Sequence, residues 1–320
     1  PYVQRDLSGN QVKDGFQRQQ FGFGVGGAIK ENKTFYFLNF EQTFDLKDNL
    51  LNVPELGVNE TVRGQNQFSY LSGKIDQFWS EKWHSSVRLN AGRVSIERQG
   101  GGLDGGVVFP SAGNQQFRNS FTLANKNEYF GENFTSSTNY QFATFKWDYA
   151  NPNNPESPNV TVLDPKGQTV AILGHPGYNF NEFESTHQIQ QKFTFSRNNH
   201  LIKTGAEIKS SGFELYGGGN YNGSYTVSLT QIQLDALVAA NLGSNISVTD
   251  IPADVQVDNY NVELRPTSFS KRQNIYSLYV EDEWQASSLL AMNFGLRYDY
   301  DNLSVGGGNK GDLNNIAPRF

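Results

Sequence analysis

Leu290-Ala291-Met292-Asn293-Phe294-Gly295-Leu296-Arg297-Tyr298-Asp299-Tyr300 changes character at every residue. Leu290, Met292, Phe294, Leu296, Tyr298 and Tyr300 are apolar or aromatic, while Asn293, Gly295, Arg297 and Asp299 are small or polar. Strict alternation of this kind is the mark of a two-faced β-strand. Just upstream, Tyr276, Leu278 and Val280 alternate with Ser277, Tyr279 and Glu281, and only a few residues around Ala286-Ser287-Ser288 part the two runs. The pair therefore reads as a hairpin. Strands of soluble proteins are about 5–6 residues long, and these are roughly twice that, the length that crosses a bilayer at a tilt.

The same unit recurs upstream. Strands are expected at about 19–29 and 33–44, with Phe21, Phe23 and Val25 on one side of the first and Tyr36, Leu38 and Phe40 on one side of the second. A second hairpin covers about 67–79 and 83–97, hinged at Ser80-Glu81-Lys82, where Val87, Leu89 and Ala91 oppose Ser86, Arg88 and Asn90. Strands five and six are expected at 115–124 and 139–149, joined by a longer connection, the sixth with Ala143, Phe145 and Trp147 as its apolar side. The seventh and eighth, 186–197 and 200–213, turn at Asn198-Asn199, and an eleventh strand begins at Asn315.

Connection lengths alternate as well. Short turns near 30–32, 80–82, 198–199 and 286–288 interleave with long polar segments at about 45–65, 98–114, 150–185 and 214–268, which read as loops rich in Gly, Asn and Pro. The last of these is expected to hold a small packing helix over about 230–242. Such a difference between the two ends is that of an outer-membrane barrel, with short periplasmic turns and long extracellular loops. The expected fold class is thus all-β: an incomplete antiparallel transmembrane β-barrel of about ten long strands.

Bulk properties agree with this reading and exclude others. The 320 residues are 37% hydrophobic, with mean hydropathy −0.57, and no apolar run approaches the roughly 20 residues of a membrane-spanning helix. Barrel strands escape that test because polar residues dilute their lipid-facing side chains one to one. Aromatic residues make up 13% of the chain, in keeping with strands and interfacial girdles. Cysteine is absent, which excludes disulfide and thiolate-metal frameworks, and a net charge of −6 argues against nucleic acid as a partner.

Sequence motifs for chemistry are weak. Gly22-Phe23-Gly24-Val25-Gly26-Gly27 fits G-x-G-x-x-G by letter, but a strand follows where a nucleotide fold needs a helix. His84, His175, His187 and His200 have no metal-binding spacing, and Asp250, Asp254 and Asp258 do not match a calcium loop. No catalytic residue, metal or cofactor is expected. The residues of interest are those on the polar faces: Gly22, Gly24, Gly26, Arg88, Lys192, Lys203, Glu207, Lys209, Glu281, Glu283 and Arg297. They are candidates for lining a hydrated lumen or contacting an internal plug, the glycines by leaving room. Asp282 falls on an apolar face, which is acceptable only near the periplasmic interface beside Trp284.

Several segments carry a family resemblance. Gln20-Phe21-Gly22, Val25-Gly26-Gly27-Ala28-Ile29 and Lys33-Thr34-Phe35-Tyr36-Phe37 resemble the first barrel hairpin of Oar-like TonB-dependent outer-membrane receptors. Ile202-Lys203-Thr204-Gly205-Ala206-Glu207, Tyr276 to Trp284, Gly295-Leu296-Arg297-Tyr298 and Asn315 to Phe320 resemble later strands, in the same order. The resemblance implies a bacterial outer-membrane location, lipid around the barrel, a 22-stranded wall with a plug inside, and uptake of a solute energised by the TonB complex. It implies further that residues 1–18 lead from an upstream plug and that 19–320 form a partial barrel continuing past Phe320. Siderophore, cobalamin, glycan, peptide and exported-protein roles all fit. A passive porin or structural barrel, an outer-membrane hydrolase using a histidine such as His84, and a secreted adhesin-like β-protein are the alternatives.

Overall fold

A computed structural model describes residues 16–102, 106–264, 267–303 and 311–320; the expected upstream connection over 1–18 lies almost wholly outside them. In chain order the strands are β1 (Gln17–Lys30), β2 (Thr34–Val53), β3 (Val58–Phe78), β4 (Trp83–Arg98), β5 (Asn114–Phe130), β6 (Phe134–Pro152), β7 (Asn159–Leu163), β8 (Thr169–Gly174), β9 (Tyr178–Arg197), β10 (His200–Gly219), β11 (Ser224–Ser228), β12 (Gln256–Asn261), β13 (Thr267–Ser287), β14 (Leu290–Asp301) and β15 (Asp312–Arg319). One helix, α1 (Gln231–Ala240), lies between β11 and β12. Eleven strands form one antiparallel sheet in the order β1-β2-β3-β4-β5-β6-β9-β10-β13-β14-β15. The other four form a smaller sheet, β12-β11-β7-β8.

Register carries a single apolar face across the large sheet, because directly paired residues point to the same side. Following the pairs from β1 gives Val25, Leu38, Gly73, Leu89, Leu123, Phe142 and His187, then Ser210; a neighbouring line passes through Ile189, Ile208, Tyr276 and Tyr300. The opposite face carries Asn39, Ser72, Asn90 and Thr122. Side chains as large as Phe23, Val25, Ile75, Ile189, Ile208, Leu278 and Leu296 are exposed on the apolar face, which in water would be a severe hydrophobic liability. Hydrocarbon is the solvent that suits it.

Short connections close the hairpins at one end, with Asn32 and Asn198 in the left-handed region that a tight turn requires (φ 58° and 54°). Above them on the apolar face lies a belt of rings: Trp79 and Trp83 (centroids 6.0 Å apart), Tyr129 and Phe134 (5.6 Å), Phe134 and Phe195 (6.1 Å), and His200 stacked on Trp284 (5.6 Å). Asp282 sits in this belt as expected, its Oδ2 2.8 Å from His200 Nδ1.

The connection between the fifth and sixth strands differs from the expectation. β5 runs on to Phe130 and β6 starts at Phe134, so only three residues join them. Polar residues on the apolar face hide the alternation there, and they satisfy one another: Ser85 Oγ donates to Asn127 Oδ1 (2.6 Å), Asn127 Nδ2 to Asn125 Oδ1 (2.6 Å), and Gln191 Nε2 to Ser136 Oγ (2.8 Å). The sixth strand is also turned over. Ala143, Phe145 and Trp147 pair with Thr122, Ser120 and Arg118 and share the polar face.

The segments read as loops are largely structured. β2 and β3 hold 20 and 21 residues, and a 20-residue strand is roughly 66 Å long, well beyond the need of a bilayer crossing. The tall hairpin ends in a turn at Pro54–Leu56 closed by Gly57 at φ 68°. Its tip, the small sheet and α1 enclose a hydrophobic core of Leu51, Val53, Leu56, Val58, Phe109, Val162, Leu173, Val227, Leu234, Leu237 and Ile246. We call this unit the cap. β11 pairs with β7 in parallel, and the long crossover that parallel pairing demands is supplied by the hairpin β9-β10 of the large sheet. The helix appears where expected, with a Thr230–Gln233 capping box and Asn241 closing it in the left-handed conformation. Leu234 and Leu237 are buried, whereas Ile232 is 82% exposed.

If the apolar face meets lipid, Leu278→Arg in the complete protein lowers its unfolding free energy in vesicles by about 2–4 kcal/mol. Thr122→Arg, on the other face, has a much smaller effect. Urea titrations read by heat-modifiable gel mobility distinguish the two, and equal losses would contradict the assignment of faces.

Candidate functional site

All eleven residues singled out on polar faces lie on the same side of the large sheet. Gly26 pairs with Phe37, Phe37 with Lys74, Lys74 with Arg88, and the line continues through Ala124, Gln141 and Gln188 to Lys209. Lys192, Gly205, Tyr279 and Arg297 form another such line. Part of the set is internally neutralised. Glu207 accepts from Gln188 and Gln190 (both 2.9 Å), Lys203 Nζ lies 3.5 Å from Glu283 and 3.9 Å from Glu281, and Arg297 pairs with Asp299 at 2.9 Å. Arg88, Lys192 and Lys209 have no ion pair among the described residues.

The glycines divide by cause. A Cβ on Gly22 would come within 2.5 Å of the Phe40 carbonyl oxygen, so this position serves close approach of the next strand's backbone. At Gly24 the nearest atom is Asn39 Oδ1 at 3.5 Å, an ordinary contact that leaves room beyond it.

The hydrolase alternative needs a serine on a histidine nitrogen, and each histidine has another neighbour. His84 lies between Asp76 (3.6 Å) and Glu128 (3.7 Å), His187 Nδ1 is 3.1 Å from the Tyr140 hydroxyl, His200 holds Asp282, and His175 Nδ1 accepts from the Gly177 amide (3.0 Å). Asp250, Asp254 and Asp258 bond to Ser247, Gln233 and Ser228, with Asp254 and Asp258 exposed on the surface of the cap.

A denser constellation lies higher on the polar face, where β3 to β6 and β9 pass toward the cap. The Arg118 guanidinium stands 4.4 Å above the Trp147 ring, and Trp147, Tyr149 and Phe180 pack together, Tyr149 stacked on Phe180 at 5.0 Å and 2°. Asn66 Oδ1, Asn114 Oδ1, Gln116 Nε2, Arg118 Nε and Trp147 Nε1 are all buried with no hydrogen-bond partner. Unpaired buried polar atoms are costly, so five in one neighbourhood mark a place built for something more than packing. Across from Trp147, Glu182 has its carboxyl raised above the usual range by burial and by its contact with Glu184.

Sequence periodicity does not mark this group: Asn66 falls between the loop expected at about 45–65 and the strand at about 67–79, Asn114 ends the loop expected at about 98–114, and Trp147 is expected on the apolar face. The pairing of Phe145 and Trp147 with Ser120 and Arg118, which reverses the face of this strand, is set by register between strands and has no local trace in the sequence.

A family model described as "Outer membrane beta barrel domain" matches residues 49–319. Among solved structures, the outer membrane transporter YddB from Escherichia coli aligns with a TM-score of 0.62 at 13% identity, covering 95% of this chain and 36% of that one. The ferric yersiniabactin uptake receptor FyuA from Yersinia pestis aligns at 0.53 and 9%, covering 96% and 42%. A G324V mutant of the ferric enterobactin receptor PfeA from Pseudomonas aeruginosa aligns at 0.50 and 12%, covering 95% and 38%. What is shared at such identities is the fold, and the chain spans about two fifths of the length of these structures. No curated protein matches the chain.

The cap contains one group with a clear pH signature. His175 is 1% exposed, and burial pushes its pKa below the ordinary 6.5. The ring is neutral in the folded cap and gains a proton more readily when unfolded, so its contribution is intact above pH 6.5 and declines as pH falls below it. Proteolysis of the cap is expected to accelerate from pH 7.5 to 5.5, and His175→Gln should flatten that rise. Glu182 acts in the opposite sense, so the difference between wild type and variant isolates the histidine.

Proposed function

Because the chain belongs to the outer membrane β-barrel domain family, we propose that its eleven strands form part of the wall of a TonB-dependent receptor that carries a solute across the bacterial outer membrane. The observation carrying this reading is the two-faced wall itself, with one face apolar over all eleven strands and the other polar and charged, in a fold like that of the outer-membrane transporter YddB and two siderophore receptors. In the proposed arrangement the apolar face contacts lipid and the polar face looks into the lumen. The cap stands outside the cell, and the short turns lie on the periplasmic side.

Two features support a wall that encloses something. In lipid, β1 and β15 must have their free edges met by further strands, since unpaired backbone groups in hydrocarbon cost several kcal/mol each. The unpaired cations Arg88, Lys192 and Lys209 face the lumen, where a plug from another part of the protein would bring acceptors to them. On this reading residues 1–18 join the plug to the wall, and TonB acts on the plug from the periplasm. The chain's part is to shape the lumen and present the outer binding surface, so no covalent chemistry is asked of it.

Uptake distinguishes this function from a passive pore. Cells producing the complete protein should accumulate a solute from a screened panel, and deleting tonB should reduce uptake to the level of cells lacking the protein. Uptake that persists without TonB would identify a porin-like barrel.

A further inference from the structure

Where the upper wall meets the cap there is a cavity of about 640 Å³, within the range that holds small ligands. Lys47, Asn66, Arg98, Asn114, Tyr149 and Tyr178 line it, together with a strap of glycines at 100–102. Lys47, Asn66 and Arg98 share the polar face with Asn114, to which Arg98 is directly paired. The Arg98 guanidinium lies 5.8 Å from the Tyr149 ring centre.

Three properties restrict what fits. First, Lys47 and Arg98 have no ion pair among the described residues, and of the carboxylates described nearby, Asp45 is committed to Arg18 and Asp48 to Arg63, both at 2.7 Å. Glu97 also borders the cavity, but it lies on the opposite face of β4 and accepts from the Gln65 amide at 2.8 Å. The cavity therefore favours an anion. Second, the Oδ1 atoms of Asn66 and Asn114 have no hydrogen-bond partner within the protein and suit a hydroxyl-rich occupant, and Asn114 is only 7% exposed. Third, Tyr178, 47% exposed, offers a ring face, which suits an occupant with a flat C–H surface, whereas the Tyr149 ring is already stacked on Phe180.

Resting on the receptor reading above, we propose that this cavity binds an acidic oligosaccharide. A uronate carboxylate meets Lys47 and Arg98, ring hydroxyls donate to Asn66 and Asn114, and the pyranose C–H face lies on Tyr178. A neutral sugar would leave both cations unmatched. Inorganic phosphate would leave Tyr178 unused, and a ferric chelate has its hydroxyl protons displaced by the metal and brings few donors for the asparagines.

The test is calorimetric titration of the complete protein in detergent with trigalacturonate and with a neutral galactose trisaccharide of the same linkage. Trigalacturonate is expected to bind at least about tenfold more tightly than the neutral sugar, and Lys47→Gln and Arg98→Gln are each expected to weaken it by about tenfold. Heat-modifiable mobility verifies that the variants fold. The proposal is overturned by folded protein that does not bind trigalacturonate, by equal affinity for the neutral sugar, or by variants that bind as wild type. TonB-dependent uptake of a different solute, with no trigalacturonate binding, would sink the acidic-sugar site alone. Trigalacturonate binding that obeys these expectations without energised uptake would support the site and remove the transport reading.

Discussion

The structure depends on backbone hydrogen bonding in a solvent that offers none. Within hydrocarbon each amide and carbonyl must find a partner inside the protein, and long antiparallel ladders between adjacent strands meet that demand continuously from β1 to β15. Once the ladder is laid down, side-chain alternation is no longer free. Each residue on the lipid side forces its neighbour to the other side, and a slip of one residue would expose Lys, Glu and Gln to lipid along a whole strand. The apolar face of the large sheet is therefore a single object, fixed by register from strand to strand.

The same constraint explains why the hydrophobic core is not in the barrel. A wall one sheet thick, with lipid on one side and an aqueous or plug-filled space on the other, has no interior of its own. The residues excluded most completely from solvent, among them Leu51, Phe109 and Leu173, belong to the cap. There the usual rules of a soluble protein return, with two layers closing over a packed core. The barrel hairpin β9-β10 acts as the crossover that lets β7 and β11 run in parallel, so cap and wall are topologically inseparable.

Polar residues mark the boundaries between these environments. Near the turns, Asp282 is tolerated on the apolar side because His200 bonds to it and Trp284 stacks on that ring. On the polar face, Glu207, Lys203 and Arg297 are paired within the wall, while the cluster around Asn114, Gln116 and Arg118 is left with unmet donors and acceptors at the seam with the cap.

The sequence by itself determined the barrel class, the hairpin partners at both ends of the chain, the face to which Phe23, Leu89, Ile208 and Leu278 belong, and the single polar face shared by Arg88, Glu207 and Arg297. These follow from a local signal of period two, imposed by lipid on one side and water on the other, and any short window of residues displays it. The signal failed where Asn127 bonds to Asn125 and Gln191 to Ser136 on the apolar side, and where Trp147 takes the polar face. Only the tertiary structure decided that segments rich in glycine and asparagine form a cap, that Leu56 meets Val162 and Leu237 in one core, and that Lys47, Arg98 and Asn114 surround one cavity. Those contacts join residues far apart in the chain, and long-range packing of this kind leaves no periodic trace in the sequence between them.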